Sequence, residues 1–217
     1  MTKAEREEKK RIKLEQERAR LRGMMSYELN YSDRGNICGL DEAGRGPLAG
    51  PVVAGAVIFP KDCEILYIND SKKLSPKRRD ALFDEIREKA LAFSVGIVDE
   101  KTVDEINILQ ATYEAMRRAV NSLAVSPDIL LNDAVTVPGI STEQVPIVKG
   151  DAKSVSIAGA SILAKVTRDR MMEEYDELYP GYGFARHKGY GTKEHIEAIK
   201  RLGPCPIHRM TFIKKFI

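Results

Sequence analysis

The chain reads as an α/β protein in which a single sheet holds both antiparallel and parallel strands between helices. Three observations predict this. Ile37-Cys38-Gly39-Leu40 and Val52–Phe59 are apolar runs of strand length joined by a short glycine-rich turn. Ala92–Val98 follows after one helical segment and extends the pair into an antiparallel meander. Ile129–Asp133 and Pro146–Asp151 are further apolar strands, and strands set apart by helices argue for parallel members in the sheet.

Taken in order, residues 1–23 are almost all charged, with Glu5-Lys9 and Glu7-Arg11 at the spacing of a solvent-exposed helix. They carry no apolar stripe wide enough for firm docking. The expectation is an N-terminal arm over 1–30 and one catalytic domain over 31–217, its last part (about 180–217) helical. The turn after the first strand is expected at a sheet edge. Ser75-Pro76 is an N-cap followed by proline at the first helical position, opening a helix to about Ala90. Thr102 to about Leu123 is amphipathic, with Ile106, Leu109, Met116 and Val120 among its apolar positions. Residues 154–179 form a helix rich in small residues that permit close approach to a sheet. Gly159 within it costs about 1 kcal/mol of helix propensity, a sign of crowding. Lys193–Leu202 is the last predicted helix, and Phe212, Ile213, Phe216 and Ile217 are expected to dock on the core.

With 217 residues and 43% hydrophobic content, the chain can bury one good core. No apolar run reaches a membrane span, and the charged N-terminus lacks the apolar region of a secretory signal. A cytoplasmic monomer is expected. Cys38, Cys63 and Cys205 fit neither a disulfide framework nor a zinc site. His187, His195 and His208 show no metal-ligand spacing. The ends are basic, nine Lys or Arg against five Glu in residues 1–22 and eight against two acids in 186–217, so the middle is acidic. That distribution suits cations in the middle and a polyanion at the rim.

The chemistry concentrates where Asp41 and Glu42 meet Gly44-Arg45-Gly46. Carboxylates there can hold Mg²⁺ or Mn²⁺, while the glycines let backbone amides approach a phosphate and Arg45 offers a charged fork. Taken alone, the segment also reads as a solvated turn. Asp41, Asp133 and Asp151, however, each end a predicted strand, and like charges held together need a cation. Glu42 joins them only if the backbone bends, since neighbours on a strand face opposite ways. Lys188 and Tyr190, between glycines, suit a nucleic-acid contact in which the ring stacks and the lysine meets phosphate. Lys165 and Arg168 are readable either as phosphate contacts or as structural residues.

The segments DEAGRGPLAGPVVAGAVI, NDSKKLS, LLNDA, KGDAKSVSIAGASILAKVTRDR and HKGYGT, in this order, resemble the ribonuclease HII family over about residues 35–211. The resemblance implies a ribonuclease H-like fold, a mixed five-stranded sheet flanked by helices with a helical C-terminal extension. It implies endonucleolytic cleavage of RNA in RNA–DNA hybrids and incision 5′ of single ribonucleotides in duplex DNA, by two-metal-ion hydrolysis with Mg²⁺ or Mn²⁺. The family's acidic site maps onto Asp41, Glu42, Asp133 and Asp151. Its ribose-reading loop maps onto Gly44, Arg45 and Gly46, its junction-sensing tyrosine onto Tyr190, and backbone contacts onto Ser71 and Lys72. Type III relatives carry a larger N-terminal domain than this arm and lack the Gly-Arg-Gly form of the loop. The rival readings are a non-catalytic hybrid-binding module and a ribonuclease H-like DNA nuclease. MTFIKKFI at the end shows no clear motif for a replication clamp.

Overall fold

The computed structural model describes residues 1–217. Its strands are β1 Ile37–Ala43, β2 Val52–Ile58, β3 Ala92–Val98, β4 Ile129–Asp133 and β5 Glu143–Ile147. They form one sheet in the order β3-β2-β1-β4-β5. β1, β2 and β3 pair antiparallel, as the meander predicts, whereas β4 lies parallel to β1 and β5 parallel to β4. The turn after β1 therefore leaves the central strand, not an edge. The middle of a sheet has neighbours on both sides to bring groups to that point.

The helices are α1 Lys3–Met24, α2 Ser26–Asn30, α3 Pro76–Lys89, α4 Glu100–Asn121, α5 Val155–Leu178, α6 Phe184–His187, α7 Lys193–Leu202 and α8 Met210–Ile213. One face of the sheet, through Leu40, Ala54 and Ala56, packs on Ala111, Ala115, Met116 and Ala119 of α4. The other face receives α5, with α3 outside it, through Val57, Ala158, Ile162, Leu82 and Ile86. Small residues set the α5 distance: a Cβ added at Gly39 would lie 2.0 Å from the Ser156 carbonyl carbon. Gly159 is crowded as expected, a Cβ there standing 2.9 Å from the Phe59 ring. A third cluster, Ala49, Met172, Tyr182, Phe184, Ala198 and Ile207, fixes α6 and α7 beside the β1–β2 turn.

Several elements depart from the sequence pattern for identifiable reasons. The arm does dock: Leu21 and Met24 are buried against Ile65, Ile68 and Leu82. Glu17 accepts the Tyr67 N–H at 2.5 Å and pairs with Arg20, which donates to the Ile68 carbonyl. Two apolar side chains and a polar clasp replace the missing stripe. In α4, Asn107 adopts φ 66°, and its side chain accepts from the N–H groups of Leu109 and Gln110, so it starts a second helical segment. The break shifts the register, which leaves Ile106 and Leu109 exposed and turns Val103, Ala111 and Ala115 inward. β5 stops at Ile147, and Asp151 sits beyond it in a single 3-10 turn, Gly150–Ala152. At the C-terminus Ile213 is buried and Phe212 and Phe216 pack beside it, but Ile217 is exposed.

Two alanine substitutions separate crowding from propensity. Gly39→Ala should lose at least about 2 kcal/mol of unfolding free energy by denaturant titration, because helix and strand must part. Gly23→Ala, in α1 with nothing within 4 Å of the new methyl, should gain about 0.5–1 kcal/mol.

Candidate active site

The parallel pairing of β1 and β4 sets the first two carboxylates side by side. Leu40 is paired with Asn132, so Asp41, which lies within β1 and not at its end as the sequence pattern predicts, and Asp133, the last residue of β4, follow side by side. Asp41 shares the face of Gly39 and points toward α5, where Ser161 meets it, and its Oδ1 accepts the Glu42 N–H at 2.8 Å. Asp133 Oδ1 accepts the Gly150 N–H at 2.7 Å, which ties the turn bearing Asp151 to the end of β4. Glu42, still within β1, reaches the same cleft at the strand's end and receives Arg45 Nη1 at 3.2 Å.

These groups resist ionisation together. Asp41 is buried, and burial first, then the charges of Glu42 and Asp133, holds its carboxyl well above the usual range. Burial also raises Glu42, with Arg45 opposing it. Asp151 is raised by burial and then by Asp70 and Asp133. Asp70 is a fifth carboxylate that the sequence reading passed over, although it stands inside the NDSKKLS segment; it accepts the Lys72 N–H at 2.9 Å. The Lys72 ammonium works against partial burial, but Asp41, Asp70, Asp151 and Asp133 together raise its pKa.

The Gly-Arg-Gly turn is shaped from behind by two buried arginines. Arg209 donates to the carbonyls of Gly44 (2.7 Å), Arg45 (3.1 Å), Pro47 (3.0 Å) and Gly50 (2.7 Å). Arg168 donates to Ala49, Pro51 and Lys188. Gly44 has φ 97°, and a Cβ there would stand 2.2 Å from Arg168 Nε, so glycine is required twice over. With the carbonyls drawn inward, the N–H groups of Gly44, Arg45 and Gly46 have no acceptor within the protein. Arg168 is thus structural, and Lys165 pairs with Asp169 at 2.6 Å. No sequence signal singled out Arg209.

A cavity of about 230 Å³ gathers Glu42, Gly44, Arg45, Gly46, Ser71, Lys72, Ser161 and Tyr190. Six of the seven expected substrate-contact residues are in that group. Tyr190 is half-exposed, with its ring edge 3.7 Å from where a Gly46 Cβ would be. Lys188 is separate: it lines the adjoining cleft, and its Nζ bonds Glu173 at 2.6 Å. Behind Tyr190 the three histidine rings meet, but each bonds backbone or another ring. Burial lowers all three, His195 to about 4.

An all-oxygen donor set whose members repel each other fits a hard divalent cation. In this conformation no three of these side chains stand close enough together to hold an ion. Such carboxylates would hold cations, which would supply Lewis-acid polarisation of a phosphodiester and of water.

Acidic side chains on adjacent parallel strands of a β3-β2-β1-β4-β5 sheet define a nuclease of the ribonuclease H-like fold. The family model described as Ribonuclease HII matches residues 38–215. Ribonuclease HII of Lachnoclostridium phytofermentans is 66% identical over 93% of this chain and 80% of that relative. The crystal structure of ribonuclease H2 from Pyrococcus horikoshii is similar with a TM-score of 0.70 and 30% identity, over 83% of this chain and 96% of that one. The ribonuclease HII of Archaeoglobus fulgidus, solved in complex with PCNA, aligns with a TM-score of 0.68 and 27% identity, over 82% and 94%. The chain belongs to the ribonuclease HII family, which makes it a divalent-metal-dependent hydrolase acting on RNA–DNA hybrids.

The raised Asp41 carboxyl fixes the sign of a stability effect. Its neutral form stabilises the fold below the unfolded pKa, about 4, and that contribution is lost as pH rises through the folded value. Asp41→Asn should therefore raise the melting temperature of the metal-free protein, by a margin that grows from pH 4 to pH 8. In calorimetry with Mn²⁺, the variant should lose most of the wild type's ion-dependent gain.

Proposed function

We propose that this chain is an endonuclease that cuts the RNA strand of RNA–DNA hybrids and incises 5′ of single ribonucleotides in duplex DNA. The products would carry 3′-hydroxyl and 5′-phosphate ends. The observation that supports this best is the meeting, in one cleft, of Glu42, the neighbour of Asp41, with three unpartnered backbone N–H groups and a half-exposed tyrosine.

Asp41, Glu42, Asp133 and Asp151 would hold two divalent ions, Mg²⁺ or Mn²⁺. When bound, the ions supply Lewis-acid stabilisation of the phosphoryl group and of the attacking and leaving oxygens. The chain's own residues do the rest. The N–H groups of the Gly-Arg-Gly turn face a ribose 2′-hydroxyl and its phosphate, and only that hydroxyl distinguishes RNA from DNA at one position. The hydroxyl is used for recognition, which leaves water as the nucleophile. Arg45 can exchange Glu42 for a phosphate oxygen, since their 3.2 Å contact is at the open face. Tyr190 stacks against the sugar on the far side of the turn, and its hydroxyl remains available for a hydrogen bond. Ser71 and Lys72 approach the backbone of the cut strand. Arg79, Lys165, Arg170 and Lys188 line the adjoining cleft and would extend the phosphate path.

A labelled duplex containing one ribonucleotide tests the activity directly. Mg²⁺ should produce a single cut on the 5′ side of that residue, and EDTA should suppress it. Asp41→Asn should leave no detectable cleavage, and full activity in that variant would overturn the metal assignment.

Tyr190→Phe keeps stacking and removes one hydroxyl. Its kcat/KM on the single-ribonucleotide duplex should fall about fivefold, the worth of one hydrogen bond near 1 kcal/mol. A wild-type rate would mean that the hydroxyl makes no contact.

A further inference from the structure

The segment Ile207-His208-Arg209 runs antiparallel to Leu48-Ala49-Gly50, with Gly50 N–H donating to Ile207 and Arg209 N–H to Leu48. Arg209 spreads over the carbonyls of the Gly-Arg-Gly turn. Its neighbour His208 points the other way, and His208 Nε2 meets His195 Nε2 at 3.0 Å. His195 Nδ1 in turn lies 2.9 Å from the Tyr190 carbonyl oxygen. One dipeptide is therefore connected to both walls of the cleft.

Backbone groups at the two ends dictate where the protons lie. The Tyr190 carbonyl can only accept, so His195 carries its proton on Nδ1 and presents a bare Nε2. His208 must then carry its proton on Nε2 and leave Nδ1 bare. At the far end His208 Nδ1 has the Cys205 N–H at 2.9 Å as its shortest contact, with the Cys205 thiol at 3.1 Å and carbonyl at 3.2 Å. The Tyr190 end sets the assignment, the shortest contact at the Cys205 end matches it, and both rings are fully buried. The relay runs in one direction, from the Cys205 amide through His208 and His195 to Tyr190. The third ring supports the same loop: His187 stacks on His195 at 4.5 Å, donates to the Tyr182 carbonyl and accepts the Gly189 N–H.

We propose that His195 and His208 are positioning residues that fix Tyr190 against the Gly-Arg-Gly turn and so set selectivity for an isolated ribonucleotide. This rests on the reading of Tyr190 as a substrate contact. Neither histidine reaches the cleft. Their effect passes through the backbone of residue 190, which also accepts the Thr192 N–H. Loss of the relay lets the ring drift from the turn. A continuous hybrid, which offers many ribonucleotides in register, tolerates that drift better than a substrate with one.

The test compares kcat/KM on a duplex with one ribonucleotide and on a continuous hybrid. His195→Ala should lose about tenfold on the first, and clearly less on the second, as expected for a small misplacement of a contact. Asparagine can place a donor near the Nδ1 position, so His195→Asn should recover most of the loss. In a Tyr190→Ala background, His195→Ala should add less than about twofold, because the two act through one contact. Independent, multiplying losses would overturn the proposal, as would equal losses on both substrates or no recovery by asparagine. If Tyr190→Ala itself spares the single-ribonucleotide substrate, the reading of Tyr190 fails and takes the relay's role with it. Proton–nitrogen NMR of the wild-type rings needs no variant to fold. It should find the proton on Nδ1 of His195 and on Nε2 of His208, and the reverse tautomers would refute the relay.

Discussion

The cleft depends on two guanidinium groups that have been taken out of water and solvated by backbone carbonyls. Burying a charge is costly unless every donor finds an acceptor. Here the acceptors are the carbonyls of a single turn and its continuation, from Gly44 to Pro51. The same bonds that make Arg168 and Arg209 tolerable therefore impose the direction of the turn. The N–H groups of Gly44, Arg45 and Gly46, on the same turn, are left without an acceptor in the protein. The turn therefore offers free donors because of where the chain hides its buried charge, and Arg45 adds a further charge beside them.

Arg209 comes from the last dozen residues and Arg168 from the middle of the longest helix, so the polar bonds of the turn are complete only with the C-terminal segment packed against the sheet. That explains why α6, α7 and α8, which add nothing to the sheet, are packed tightly beside β1. Their apolar cluster around Phe184 and Tyr182 anchors the segment that carries His208 and Arg209. The acidic half of the site needs none of this, since Asp41 and Asp133 are set by the register of β1 on β4. Two halves of one cleft thus rest on different foundations, one on strand pairing and one on long-range polar bonds.

This division also decides what the sequence revealed. Strand period and apolar runs show β1 to β4 and the carboxylates carried by β1 and β4, because local pattern and sheet geometry agree there. Ser75-Pro76 announces its helix by capping chemistry that is likewise local. Asp151 was legible as an acid near a strand but not as part of a 3-10 turn, whose shape comes from the Gly150 N–H bond to Asp133. The docking of α1 was hidden because two apolar residues among charges give no stripe; the contacts that hold them belong to loops around Ile65 and Ile68. Arg209 was illegible for a stronger reason. Nothing local distinguishes an arginine destined for four carbonyls far up the chain from one on the surface, and Asp70 was masked in the same way as one more turn aspartate.

The electrostatics of the cleft can be read as a competition for the same negative charge. Burial and neighbouring carboxylates oppose the ionisation of Asp41 and Asp151, and the Lys72 ammonium is favoured by the charges around it. Lysine is a single charge on a flexible stem, whereas a divalent ion offers twice the charge and several coordination directions. The lysine is held by the Asp70 turn at the cavity wall. A divalent ion would therefore replace the weaker of two sources of positive charge, and that replacement needs no change in the pairing of β1 with β4, which sets Asp41 and Asp133.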